Sequence, residues 1–354
     1  MAATAVGLSL FGALIIHSAD LHDPGAASEW HKQLMYVGIG VAAMTLFATV
    51  DYHRWQKWWP WLYGFNLLLL LLVMRGGHSA LGAQRWISLG PLGTFQPSEP
   101  AKLIVAIVIA ALLARTASVG LRELGITFAA VALPALLILK QPDLGTTLVI
   151  LAILSAQLFF GVSKMWHFAA YAGFAAAASA VVVGTNLVLK PFQRSRLLVF
   201  LHPNADPQGV GWNLNQSKIA VGSGELFGKG LYHGTQTQLN FVPEHSRDFI
   251  FTVVAEEFGY VGSIGLVLVY AVILFGAFRA MMSARDRFGL LLAAGIVAML
   301  AFHITINIGM TVGIMPITGI PLPFMSYGGS AVITDFAAIG VLLNIFVQRD
   351  KLVF

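Results

Sequence analysis

Within FVPEHSRDFIF (241–251), Glu244, His245, Arg247 and Asp248 crowd against the start of a long apolar run. A carboxylate held at a membrane surface among cations, beside a polar loop of roughly 60 residues, is placed to do chemistry on a lipid-linked substrate. Asp248 directly precedes Phe249, Ile250 and Phe251, so a simpler role is also open to it, an N-cap that satisfies orphan N–H groups at a helix start. Its neighbours favour chemistry. Glu244, His245 and Arg247 lie within four residues, and Glu256 and Glu257 follow two turns along, more ionisable partners than a cap needs.

Other charged groups stand where charge is expensive. Glu99 and Lys102 have i,i+3 spacing, which gives a helical ion pair worth about 0.2–0.5 kcal/mol, turned toward protein or a cavity because lipid exposure is costly. Asp335 and His303 fall near the middle of apolar runs, as functional groups or as interhelical hydrogen-bond partners. Lys218, Lys229, Arg194 and Arg196 lie in the long polar loop, where GSGELFGKG (222–230) offers glycines able to turn N–H groups toward a phosphate. That run does not fit the Walker pattern. GIPLPFMSYGGS (319–330) sets prolines and paired glycines around Tyr327, a broken segment suited to a buried or cavity-lining position.

The elements that must hold these groups are membrane helices. The chain of 354 residues is 57% hydrophobic and 10% charged, with a mean hydropathy of +0.78. Its apolar runs are too long and too uniform for barrel strands. They fall at about 3–17, 34–50, 60–74, 98–114, 124–139, 144–160, 165–188, 249–278, 288–312 and 325–347, which predicts an all-α polytopic protein of ten transmembrane helices, with a large extracytoplasmic loop (about 189–248) between helices 7 and 8. The first run lacks the basic flank of a cleaved signal peptide and is short for a span. Lys and Arg are in excess at 51–57, 114–122, 161–164, 279–287 and 348–351, which places these connections and both termini in the cytoplasm. Residues 75–97, with Arg75, Arg85, Trp86 and several glycines, suit an interfacial hairpin. Cysteine is absent, which excludes disulfides and thiolate metal sites. The net charge of +5 sits in short loops and orients the protein; it does not point to nucleic acid. No internal repeat is visible beyond two Pro-acid helix starts, Gln96-Pro97-Ser98-Glu99 and Gln141-Pro142-Asp143, so residues 1–354 read as a single domain.

The blocks GAQRWISLG (82–90), FQPSEPAKL (95–103), KQPDLGT (140–146), NQSKIAVGSGELFGKGLYHGTQTQLNFVPEHSRDFIF (215–251), AEEFGYVG (255–262) and PLPFMSYGGS (321–330) together resemble the SEDS family of bacterial shape and division proteins. GKGLYHGTQTQLNFVPE (228–244) is more similar to the elongation member than to the division member. The resemblance implies ten spans in the bacterial inner membrane, cytoplasmic termini, and a glycosyltransferase that polymerises lipid II into peptidoglycan. It puts the essential acid of the family on Asp248, with Arg247, Lys218, Lys229, Glu99, Lys102, Arg85, Gln216 and Ser330 as candidate substrate contacts. It also implies a class B penicillin-binding protein (transpeptidase) and other elongation-complex membrane proteins as partners. Two departures stand out: His-Ser-Arg-Asp replaces the usual His-Thr-Asp before Phe249, and Ala331 stands where a second serine is frequent.

For an inverting displacement that expels undecaprenyl diphosphate, one base suffices if cations balance the leaving group. Asp248 is then the expected base for the acceptor 4-hydroxyl, with Arg247, Lys218, Lys229 or a divalent cation (Mg or Mn) at the diphosphate. A lipid II flippase and a scaffold for wall enzymes are the readings from other classes.

Overall fold

The computed structural model describes residues 1–21, 28–76, 78–80, 83–88, 90, 93–116, 119–162, 164–184, 191–201 and 209–350. The long helices are α1 (Ala2–Ala19), α2 (Glu29–Thr49), α3 (Tyr52–Gly76), α4 (Ser98–Leu113), α5 (Leu121–Lys140), α6 (Leu144–Gly161), α7 (Met165–Gly184), α11 (Ile250–Met282), α12 (Arg287–Val312) and α13 (Gly329–Val347). Among the described residues, α1, α2, α3, α5, α6, α11, α12 and α13 are long and apolar enough to cross a membrane. The protein is a helical polytopic membrane protein. The large loop carries shorter helices, α8 (Pro191–Leu201), α9 (Val210–Ser223) and α10 (Thr235–Gln238).

Two expectations need correcting. The segment 51–57 is no loop: helical geometry begins at Tyr52, eight residues before Pro60, and the Asp51 side chain accepts from the His53 N–H at 2.9 Å. The last span begins at Gly329 rather than 325, because Phe324 and Gly328 take φ of 65° and 159°, outside helical geometry. The expected hairpin is a short three-stranded antiparallel meander of β1 (His78–Ala80), β2 (Ala83–Ser88) and β3 (Thr94–Phe95), with Ile87 opposite Phe95, on an otherwise helical fold.

The chain forms two compact units. One comprises Ala43–Lys190, Gly276–Leu300 and Ala337–Phe354. Within it α4 packs against α3, α5 and α6, and all but two of its sixteen residues are buried. Helix α6 starts on Asp143, whose side chain accepts from the Thr146 N–H at 3.1 Å. The same carboxylate accepts from Gln96 and Ser98 at 3.1 Å, so the two Pro-acid starts noted in sequence meet at one acid.

The other unit comprises Met1–Ala42, Pro191–Phe275 and Ala301–Phe336. Its core under the large loop is Val199 of α8, Leu214 and Ala220 of α9, Val242, Phe249, Met310 of α12, and Ile317. This cluster fixes the turn that carries Asp248.

Candidate functional site

Asp248 stands two residues before α11, half-buried on a turn whose main chain is tied from several sides. Asn307 Nδ2 donates to the Asp248 carbonyl and to the Ile320 carbonyl, both at 2.8 Å. Ser326 Oγ donates to the Arg247 carbonyl at 2.6 Å, and the Tyr327 N–H donates to the Ser246 carbonyl at 2.9 Å. The Pro-rich segment before α13 is thus a clamp on this turn. Its Gly319 has φ +73°, and a Cβ there would stand 3.2 Å from Asp248 Oδ2 and 3.3 Å from Arg196 Nη1. Carboxylate and guanidinium therefore flank one point, with Arg196 delivered by α8.

The remaining charges around the turn are committed to one another. Arg247 lies 3.2 Å from Glu244 and 3.4 Å from Glu29, with its guanidinium 5.6 Å from the Tyr327 ring. Burial opposes its charge, but Glu244 and Glu29 outweigh burial and raise its pKa. His245 Nε2 sits 3.0 Å from Asp20 Oδ1, and its Nδ1 lies 3.0 Å from the Val242 carbonyl. Burial alone would lower the His245 pKa, yet the hydrogen bond and charge of Asp20 raise it above the ordinary value. Stability from this tie is fully present below the unfolded value of about 6.5 and is lost as pH rises through the higher folded value. We expect the unfolding midpoint in detergent to fall over that window in the wild type, and the fall to vanish in Asp20→Asn.

Lys229 Nζ lies 2.8 Å from Glu256, whose buried carboxylate also accepts from the N–H groups of Gln236 and Thr237 at 2.9 and 3.1 Å. Glu257 accepts from Ser18 and from the Tyr232 N–H. Both glutamates serve the loop. The phosphate cradle expected of GSGELFGKG is overturned at two of its N–H groups, because Lys229 and Gly230 donate to the carbonyls of Glu256 and Glu257 at 3.0 and 2.9 Å. Lys218 is exposed on α9 with its chain against Gly313, and Gln216 is half-buried on the same helix. Ser330, Asp335 and His303 are buried.

The other sequence candidates lie in the unit built on α4. Glu99 and Lys102 pair at 2.8 Å and are 5% and 2% exposed, so the i,i+3 pair is interior as expected. Arg85 of β2 donates to the carbonyls of Gln141 and Pro142, fixing the start of α6. Sequence reasoning gave Asp143 no role of its own, although its Gln-Pro-Asp setting marked it; Arg196 went unranked among loop cations because nothing local ties it to Asp248.

A family profile described as a cell cycle protein, FtsW/RodA/SpoVE, matches residues 1–351. The chain is 37% identical over 348 residues to the peptidoglycan glycosyltransferase MrdB of Escherichia coli strain K12, covering 98% of this chain and 92% of that protein. It is also 37% identical over 324 residues to Stage V sporulation protein E of Bacillus subtilis strain 168, covering 89% of this chain and 86% of that protein. Among solved structures, a chain from the study of how a peptidoglycan synthase complex coordinates polymerization and crosslinking superposes with a TM-score of 0.84 at 30% identity, covering 98% of this chain and 97% of that one.

Proposed function

We propose, because this chain belongs to the FtsW/RodA/SpoVE family of SEDS proteins and is a peptidoglycan glycosyltransferase, that it polymerises lipid II into glycan strands during cell elongation with Asp248 as general base. The observation that carries the reading is the Asp248 carboxylate, half-buried on a clamped turn and facing the same point as the Arg196 guanidinium. The carboxylate takes the proton from the acceptor 4-hydroxyl as that oxygen forms a bond to the anomeric carbon of the donor. Undecaprenyl diphosphate leaves with the electron pair of the broken bond. Arg196, which flanks the same point as Asp248, and exposed Lys218 are proposed to balance its charge, with Arg247 and Lys229, each paired with carboxylates, as the other candidate cations.

Among the described residues no group of three or more His, Asp or Glu forms a cage for a metal ion. A Mg or Mn ion needs only one or two carboxylates when substrate phosphates supply further oxygens, and Asp248 fits that limited share. Gln216, Ser330, Arg85, Glu99 and Lys102 are proposed as further contacts that hold or position lipid II. The ten long helices are proposed as ten spans of the inner membrane, with both termini cytoplasmic and residues 1–354 acting as one domain. The elongation role rests on the run 228–244, and a class B penicillin-binding protein is the proposed partner that cross-links the product.

Strand synthesis from lipid II by the purified protein, with and without Asp248 and with a chelator, tests the reading. A further expectation concerns Gly319. Gly319→Ala places a methyl against both reacting-site groups and holds a non-glycine residue at φ +73°. Displacing the base should slow polymerisation by about 10- to 100-fold, read by single-turnover gel assay, beyond the modest fall in unfolding midpoint that the left-handed backbone costs an alanine.

A further inference from the structure

We infer that residues 224–230 form a hook seated in the outer leaflet of the bilayer, with Leu226 and Phe227 against lipid acyl chains. The hook fills a break in α11. Gly259 takes φ 65° and ψ −161°, which opens the i→i−4 ladder of the helix at that point. The N–H groups of Tyr260 and Val261 turn to the carbonyls of Glu225 and Leu226 at 2.9 and 3.1 Å, and the carbonyls of Glu256 and Glu257 accept from Lys229 and Gly230. Two N–H groups and two carbonyls at the break are thereby matched by groups from the hook. Such mutual satisfaction lets irregular main chain lie at membrane depth, where no water replaces a lost hydrogen bond. The approach demands glycine: a Cβ at Gly224, Gly228 or Gly259 would stand 2.0, 2.1 or 2.4 Å from main-chain atoms.

The tip of the hook is apolar and open. Leu226 is 61% and Phe227 78% exposed, and exposed Tyr260, Val261, Ile264 and Leu268 continue the same apolar character along α11. From Tyr260 to Phe275 that helix carries no charge. Depth follows from length, because 33 helical residues exceed the roughly 20 that the hydrocarbon core requires. Counting about 20 residues back from Arg279, in the last turn of α11, reaches Gly259, so break and hook coincide with the outer edge of the core. An exposed phenylalanine and leucine at that level leave water for lipid, and the hook becomes an anchor for the loop that carries Lys218 and Lys229.

The chain has no cysteine, so single-site nitroxide labelling needs no background removal. Full-length Phe227→Cys and Leu226→Cys proteins in phospholipid nanodiscs are labelled, and collisions with dissolved oxygen and with a water-soluble nickel chelate are measured. Leu268→Cys provides the lipid reference and Arg285→Cys the water reference. The expected result is loss of nickel access with retained oxygen access at both hook positions, as at Leu268. Nickel access matching Arg285 overturns the inference, and so does an immobilised label shielded from both reagents, which would mean that protein covers the hook.

Discussion

Asp248→Asn is expected to lower lipid II polymerisation by about 10²–10⁴-fold while the protein keeps its unfolding midpoint. The substitution preserves size and removes basicity. It leaves the anchor of the turn intact, because Asn307 and Ser326 hold this segment through the main-chain carbonyls of Asp248 and Arg247, not through the carboxylate. The carboxamide still reaches the point that Asp248 shares with Arg196, so substrate binding should suffer less than the chemical step. A kcat effect much larger than the KM effect, measured on purified protein, is the signature of a base. Wild-type-like polymer from Asp248→Asn would remove the general-base role, and a large drop in midpoint would reassign the residue to structure.

How much of this was legible in sequence depended on how local the signal is. The apolar run expected from 144 starts there because Asp143 caps it, and the Glu99–Lys102 pair was readable because both partners share one helix turn. The start of α13 was not readable, since the left-handed Phe324 is set by Tyr270 donating to the Pro323 carbonyl at 2.7 Å, a contact across 53 residues. Partners distant in sequence escaped for the same reason: Glu29 for Arg247 lies 218 residues away and Asp20 for His245 lies 225 away. Composition counted cations but could not show which ones carboxylates already hold. Lys229 gains a structural partner in Glu256 that its sequence neighbours do not announce, and Arg196 is carried toward Asp248 only once the loop folds. The glycines of 222–230 suggested a phosphate cradle, whereas Gly224 and Gly228 permit close approach to the broken α11.

Glu256→Gln is expected to cost the fold about 3–5 kcal/mol, because it leaves a partly buried ammonium without its counter-ion. Glu256 is fully buried and gathers Lys229, the N–H groups of Gln236 and Thr237, and the Thr237 hydroxyl around its two oxygens. An amide in its place offers one acceptor atom and turns an NH2 toward groups that are themselves donors. Lys229→Met should be milder, since the carboxylate keeps its other donors while the methionine chain fills similar space. The combination of both changes should be less damaging than the sum of the two, because the stranded charge is gone. Unfolding midpoints of the four proteins in one detergent give the cycle. The same set separates the two roles open to Lys229: if its ammonium served the diphosphate, Lys229→Met would lose polymerisation at a nearly unchanged midpoint, whereas a structural lysine loses activity only in step with stability.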